Sequence, residues 1–352
     1  MTTQNETLVS ETDLRALCLK MMELAKLDSK GARATADVLV TTDMWGVHTH
    51  GTRQLPKLLE NFETGKMDLN ATASVIDEGP TWASIDGKRA MAFQTAIDGM
   101  EMAINKARDA GTATVTARNI GHFGAAGYFA VMAAEAGMIG IAMCNVDPCI
   151  AVPGTKGPVL GTNPFAYGIP TSGRPVFFDI ATSAVAATKV FRAKARGETI
   201  PDGWLVDKDG VPTNDPSHYP EEGALLPFAA HKGYGFAFLI EALCAGLSGG
   251  PTPDKVNCWV SSTPEPVNQS FTFIAINPDT FAAGRNFLNY MDGLTAHVQS
   301  ADKAVNADHI YLPGEIEWRK YQIAQQQGIA LPADVADVLR SAAAKYGVDF
   351  PV

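Results

Sequence analysis

No apolar run in this sequence is long enough to cross a membrane. The longest, over 130–144, is broken by Glu135, Gly137 and Gly140, and a spanning helix needs ~20 such residues. A secretory leader is not expected either. The opening MTTQNETLVSETDLRALC is polar and runs into a helical pattern, without the basic start and apolar stretch of a signal peptide. Cysteine is scarce, with Cys18, Cys144, Cys149, Cys244 and Cys258 irregularly spaced and no C-x-x-C. That argues against a disulfide framework or a zinc knuckle and for a reducing compartment, so cytoplasm is the expected location. Positive charge is short as well. Lys and Arg number 28 against 38 Asp and Glu, a net charge of −10, which argues against a general nucleic-acid binder. No G-x-G-x-x-G follows a strand. Gly121, Gly124 and Gly127 have the wrong spacing, so the pattern of a Rossmann dinucleotide site is absent.

What is present is an ordinary globular composition, 46% hydrophobic and 19% charged over 352 residues, enough for two or three structural units. Leu14, Leu17, Met21, Leu24 and Ala25 recur at helical spacing behind a Ser10 or Thr12 cap. Further helices are expected over 32–45, 55–64, 91–110, 128–136, 184–197, 236–247, 279–300 and, as a pair, within 315–346. Strands are expected over 112–117, 139–144 and in FTFIAINP, with short β segments over 71–90 and 145–180. Residues 200–222 form a turn-rich excursion, and the Pro/Ser-rich 251–268 a long surface loop. Helices bracket a central β region, so the two ends of the chain are expected to pack together.

Four clusters can carry chemistry. Gly46-Val-His48-Thr49-His50-Gly51-Thr-Arg53 can build an anion or metal site, or simply cap helix carbonyls. His122, among small residues at a strand-to-helix junction, suits general acid–base work, although a lone histidine is more often structural. Asp147-Pro, Thr162-Asn163-Pro and Phe178-Asp179-Ile180-Ala181-Thr182 read as turns and caps, or as groups that orient a histidine and hold a pyrophosphate at a helix start. His231-Lys232-Gly233-Tyr234-Gly235 is a flexible turn or a phosphate contact.

Taken in order, GVHTHG (46–51), GHFGAAGYFA (121–130), DPCIAVPG (147–154), GTNPFAYGIP (161–170), FDIATS (178–183), IPDGWLVDKDGVPTNDP (200–216), ALLPFAAHKGYG (224–235) and YLPGE (311–315) resemble the malate/L-lactate dehydrogenase family. That family also contains ureidoglycolate and sulfolactate dehydrogenases and cyclic-imino-acid reductases. The resemblance implies a non-Rossmann α/β fold. Its central sheet would be mixed and mostly antiparallel, with a separate cofactor-binding domain and a helical domain formed by both termini. Residues 1–75 with 295–352 would form the helical domain. Residues 76–120 with 250–294 would form the sheet and substrate domain, and 121–249 the NAD(P)-binding domain. It also implies a homodimer.

Carried over by position, His122 is the proton donor and acceptor, Asp147 a pocket aspartate that can orient it, and Thr49 and His50 line the substrate. Val146, Asp179, Ile180, Ala181, Lys232, Gly314 and Glu315 fall on nicotinamide-dinucleotide positions, joined by Thr162, Asn163, Thr182 and His122 itself. No metal is implied. The expected activity is hydride transfer between NAD or NADP and a small anionic 2-oxo or 2-hydroxy acid. The alternative within the family is reduction of a cyclic or N-alkyl imino acid. The presence of His122, Asp147 and Lys232 argues against a binding protein on an inactive scaffold. A metal hydrolase built on His48 and His50 lacks a matched acid or cysteine nearby. One departure stands out. Many members carry an arginine four residues after the histidine, where it grips the substrate carboxylate; here that residue is Gln54, and Leu58 replaces a tyrosine common one turn later. Arg53, Lys57 or another loop would have to take over. On a helix a one-residue offset turns a side chain by about 100°. The basic run Arg192, Lys194 and Arg196 is either a solvated helix face or a partner for a 2′-phosphate.

Overall fold

The computed structural model describes residues 6–281 and 286–351. Strand β1 (Glu6–Val9) leads into helices α1 (Glu11–Leu24), α2 (Ser29–Met44) and α3 (Leu55–Glu63). Ser10 caps α1 by accepting from the Asp13 backbone N–H at 3.0 Å. Asp28 caps α2 by accepting from the amides of Lys30 and Gly31. Both satisfy first-turn donors that the helix leaves unpaired. Leu14, Leu17, Cys18, Met21 and Met22 share one face of α1 and are buried, the stripe an amphipathic helix needs.

The chain continues through β2 (Ser74–Gly79), β3 (Trp82–Asp86), α4 (Ala92–Ala110), β4 (Thr112–Ile120) and α5 (Ala126–Glu135). Then come β5 (Ile139–Cys144), β6 (Phe165–Ile169), β7 (Val176–Ile180) and α6 (Ala187–Arg196). Short strands β8 (Leu205–Val206), β9 (Pro212–Thr213) and β10 (Ala224–Leu225) precede α7 (His231–Glu241). The remainder is β11 (Gln269–Ile276), α8 (Pro278–Phe281), α9 (Phe287–Gln299), α10 (Glu315–Gln327), β12 (Ile329–Pro332) and α11 (Ala333–Lys345).

A seven-stranded sheet runs β2-β3-β4-β11-β5-β6-β7. Strands β3 and β4 are parallel and the other neighbours antiparallel. The fold is therefore mixed α/β about a mostly antiparallel sheet, as expected. Strand β11 lies at its centre, and its alternation has a physical reason. Phe271 and Phe273 are fully buried on the face where their rings meet Phe123 and Phe129. Thr272, also buried, points the other way and donates to the Leu243 carbonyl at 2.7 Å. That carbonyl sits in a π-helical turn, Ala242–Gly246, that continues α7.

The chain ends do meet, through a feature not expected from sequence. β1 pairs antiparallel with β12. The turn-rich excursion contains β8 and β9, which join β10 just beyond it in a three-stranded sheet, β10-β8-β9. The expected helix over 279–300 is two helices, α8 and α9, and residues 282–285 lie outside the described ones. Helix α7 begins at His231, five residues before its expected start. Gly233 is inside it because a Cβ there would lie 2.6 Å from the Phe228 carbonyl oxygen and 2.8 Å from that of Thr182.

Candidate active site

His122 is placed by its neighbour. Phe123 is fully buried, with its ring 4.4 Å from that of Phe271 and 4.9 Å from that of Phe129. This anchors the link between β4 and α5 and leaves the preceding imidazole at the junction. The segment facing it is shaped by Asp43 at the end of α2. The buried Asp43 carboxylate accepts from the Thr52 amide at 2.8 Å, the Thr52 hydroxyl at 2.6 Å and His48 Nδ1 at 2.8 Å. The turn so closed carries Thr49 and His50, then enters the 3-10 turn Thr52–Gln54.

These elements converge on His122. Gln54 Oε1 lies 2.9 Å from His122 Nε2, and Gln54 Nε2 donates to the Thr49 carbonyl at 3.1 Å. The His50 ring centroid is 5.8 Å from that of His122, and His50 Nδ1 is 2.9 Å from the Thr49 hydroxyl. Trp259 stacks on the other imidazole, with centroids 4.3 Å apart and planes within 1°. His122 is 8% exposed, and its Nδ1 has no hydrogen-bond partner among the described residues. Burial, and secondarily the neighbouring His50, holds the His122 pKa well below the usual histidine value. Burial also lowers that of His50, because desolvation disfavours the charged form.

Thr49, His50 and His122 are thus brought together. Arg53 is not. Its guanidinium pairs with Asp334 on α11, which also holds Arg192 at 3.3 Å. The one-residue offset from Gln54 sends the two side chains to different places. Lys57 is likewise paired, with Glu60 at 2.8 Å. Asp147 makes no hydrogen bond to His122, since Nε2 is taken by Gln54 and Nδ1 has no partner among the described residues. Burial raises the Asp147 pKa, against the opposing effects of a hydrogen bond with Cys258 and of the Lys66 charge.

Lys66 and Asn61 explain how Trp259 is held. Lys66 is only 2% exposed, and its ammonium donates to the Cys258 carbonyl at 3.2 Å, the Ser261 carbonyl at 2.8 Å and the Ser261 hydroxyl at 2.8 Å. Three donors meet three acceptors, the condition for burying such a group. Asn61 donates to the Trp259 carbonyl at 3.0 Å. The segment read from sequence as surface loop therefore delivers a ring to the imidazole. Sequence reasoning missed Trp259, Lys66 and Asn61. A single tryptophan in a Pro/Ser-rich stretch was the one available signal.

The positions assigned to a dinucleotide surround the β6–β7 edge and the start of α7. Asn163 is buried, accepts from the Val146 amide at 3.0 Å and donates to Glu241 at 2.8 Å. Thr182 takes its backbone from two sides, donating to the Thr162 carbonyl at 2.8 Å and accepting from Phe228 at 2.9 Å. Its buried hydroxyl has no partner among the described residues. Ile180 and Ala181 lie on the same stretch, and Asp179 accepts from the Gly127 amide at the start of α5 at 2.7 Å. Lys232 is exposed in the first turn of α7. Gly314 packs on β7, and Glu315 accepts from His309 and Arg319, each at 2.7 Å. A buried hydroxyl without a partner among the described residues, on a residue whose carbonyl meets the first turn of α7 at Gly233, next in the chain to Lys232, fits an anionic group.

Gly314 has φ +80°, and a Cβ there would strike the Phe177 ring and lie 2.8 Å from its carbonyl oxygen. Gly314→Ala is expected to cost on the order of 1–3 kcal/mol through overpacking, with added strain from the left-handed backbone. Thermal denaturation would check it, and an unchanged midpoint would contradict the close approach.

The malate/L-lactate dehydrogenase family model matches residues 9–340. A malate/(S)-sulfolactate dehydrogenase of Methanothermus fervidus is 33% identical, covering 97% of this chain and 99% of its own. An NAD(+) ureidoglycolate dehydrogenase of Escherichia coli is also 33% identical over 95% of each chain. The solved structure of malate dehydrogenase from Pyrococcus horikoshii superposes with a TM-score of 0.90 at 30% identity, over 99% of this chain and 98% of that one. With the match running end to end in sequence and in structure, the chain belongs to the malate/L-lactate dehydrogenase family.

Proposed function

We propose that this protein is an oxidoreductase that moves a hydride between a nicotinamide cofactor and a small 2-oxo or 2-hydroxy acid, with His122 exchanging the proton. The carrying observation is the buried His122 Nδ1, which no described residue engages. A lone pair shielded from water and free of internal partners is what a general base needs. Thr49 and His50 offer a hydroxyl and an imidazole to a bound substrate beside it. Thr182, Lys232, Asn163 and the α5 start would hold the dinucleotide, whose nicotinamide would supply or accept the hydride. Arg192 and Lys194 are engaged with Asp334 and Glu221, which weakens the case for a 2′-phosphate there and favours NAD.

The assignment of a helical domain to both ends is supported by the β1–β12 pairing, and 121–249 is the proposed dinucleotide domain. A homodimer is supported by apolar side chains at the surface of α7 and α9, among them Phe238 at 61% and Tyr290 at 69% exposure. Free Cys18, Cys144 and Cys244 suit a cytoplasmic setting.

Assays of pyruvate, oxaloacetate and other 2-oxo acids with NADH and NADPH, with and without methylamine, test the reading. Oxidation of reduced cofactor by a 2-oxo acid alone is expected. Strict dependence on methylamine would assign the imine alternative, and no turnover with any pair would sink the proposal.

The pH dependence follows from the depressed His122 pKa. Oxidation needs neutral imidazole. Its kcat/KM should therefore be flat through neutrality and fall only on an acid limb below the usual histidine value of 6.5. Reduction needs imidazolium and should gain as pH drops toward the same limb. An oxidation limb above that value would contradict a buried, neutral base.

A further inference from the structure

We propose that Gln54 is a positioning residue that holds neutral His122 as its Nε2–H tautomer and so makes Nδ1 the proton-exchanging atom; the proposal rests on the function given above. The Gln54 amide sits between two groups of unequal chemistry. On one side is the Thr49 carbonyl, 3.1 Å from Nε2. A backbone carbonyl can only accept, so the amide must present its NH2 there. The other end is then the carbonyl oxygen, 2.9 Å from His122 Nε2. That oxygen can only accept, so His122 Nε2 must donate. Turning the amide over would set oxygen against oxygen at a residue only 8% exposed, where an unmatched polar contact is expensive. Neutral imidazole has one N–H. With the proton on Nε2, Nδ1 keeps a bare lone pair.

The surroundings leave that assignment intact. Trp259 covers a face of the ring and makes no claim on either nitrogen. His50 is the titratable neighbour, at 5.8 Å between centroids. His48, by contrast, has Nδ1 against the Asp43 carboxylate, so the same acceptor logic puts its proton on Nδ1. Two histidines of one neighbourhood thus carry opposite tautomers. His50, whose partner is a hydroxyl that can donate or accept, is left unset.

In the oxidation, the substrate O–H bond breaks and its proton bonds to Nδ1, while the O–H electron pair becomes the second bond of the carbonyl. The departing hydride is balanced by the oxidised nicotinamide. The resulting imidazolium keeps its Nε2–H on Gln54 Oε1, so the residue's contact is unchanged by the transfer. In the reduction the same Nδ1–H returns the proton. A guanidinium at position 54 would have five donors and no acceptor and could not hold this tautomer. The departure at Gln54 therefore changes the service the position performs, from gripping a carboxylate to orienting a base.

The test is a long-range 1H–15N correlation spectrum of the histidine-labelled enzyme at pH 8, with His122 assigned by its loss in His122→Asn. The pattern of an Nε2–H imidazole is expected. An Nδ1–H pattern in an enzyme that turns over would overturn this proposal and leave the function standing. An Nε2–H pattern in an enzyme that transfers no hydride would overturn the function instead. Gln54→Leu should yield a mixed tautomer signal and a kcat lowered by at least about tenfold. Gln54→Glu, which still accepts from Nε2–H but sets its second oxygen against the Thr49 carbonyl, should keep the Nε2–H pattern and move the acid limb upward, at a cost in stability. An unmixed Nε2–H signal with unaltered kcat in Gln54→Leu would also overturn the assignment.

Discussion

His122→Ala should lower kcat by about 10²- to 10⁴-fold, the contribution typical of one positioned acid–base group, while dinucleotide affinity stays near that of the parent. The corresponding rise in barrier is about 3–5 kcal/mol. The imidazole is the one ring held between Gln54 and Trp259 with a nitrogen left unpartnered among the described residues. Asp147 lies near Cys258 and Lys66 and has no bond to the imidazole, so it is not placed to substitute for it. Steady-state kinetics in both directions, with cofactor binding by titration, would measure the loss. Retention of more than a tenth of kcat would mean that another group moves the proton. Loss of cofactor binding with an unchanged single-turnover rate would mean that the ring only lines the nucleotide.

Phe123→Ala should destabilise the fold by roughly 3–5 kcal/mol, the range for emptying a buried aromatic site. Phe123 has no exposed surface, and its ring contacts those of Phe129, Phe271 and Phe273. Those residues come from α5 and β11, so helix and sheet cannot close the cavity without separating from their own partners. Activity should fall beyond what the unfolded fraction explains, because the His122 backbone is next in the chain. Phe123→Leu should regain most of the stability. Urea unfolding followed by circular dichroism would test this, and a penalty under about 1 kcal/mol would show that the cluster repacks freely.

Legibility from sequence tracked the range of the forces involved. Helices α1, α2, α4 and α5 and strands β5 and β11 were legible because their apolar residues recur at local spacing. Strands β1 and β12, four residues each, were not, since neither has a pattern until the other is beside it. The early start of α7 was hidden because glycine usually signals a turn, whereas Gly233 is required by the approach of Phe228 and Thr182.

The site divides the same way. His122 stood out by its small neighbours, and His50 and Thr49 by their motif. Gln54 was visible as a departure, yet its task depends on a carbonyl and an imidazole that only tertiary structure brings to its two ends. Arg53 was the natural substitute cation. Its pairing with Asp334 could not be read from a stretch 281 residues away. Trp259 and Lys66 were missed because neither belongs to a local pattern. They meet through carbonyl oxygens of a turn.

The pairing of Glu6–Val9 with Ile329–Pro332 also orders events during synthesis. Strand β1 is made long before β12, its hydrogen-bonding partner. Helices α1 and α2 can pack as they emerge, since domains form largely in the order of translation. Strand β1 must wait with its edge unmatched until β12 has been made, and an unmatched edge invites foreign strands. Its brevity, at four residues, keeps that window of exposure from becoming a route to aggregation.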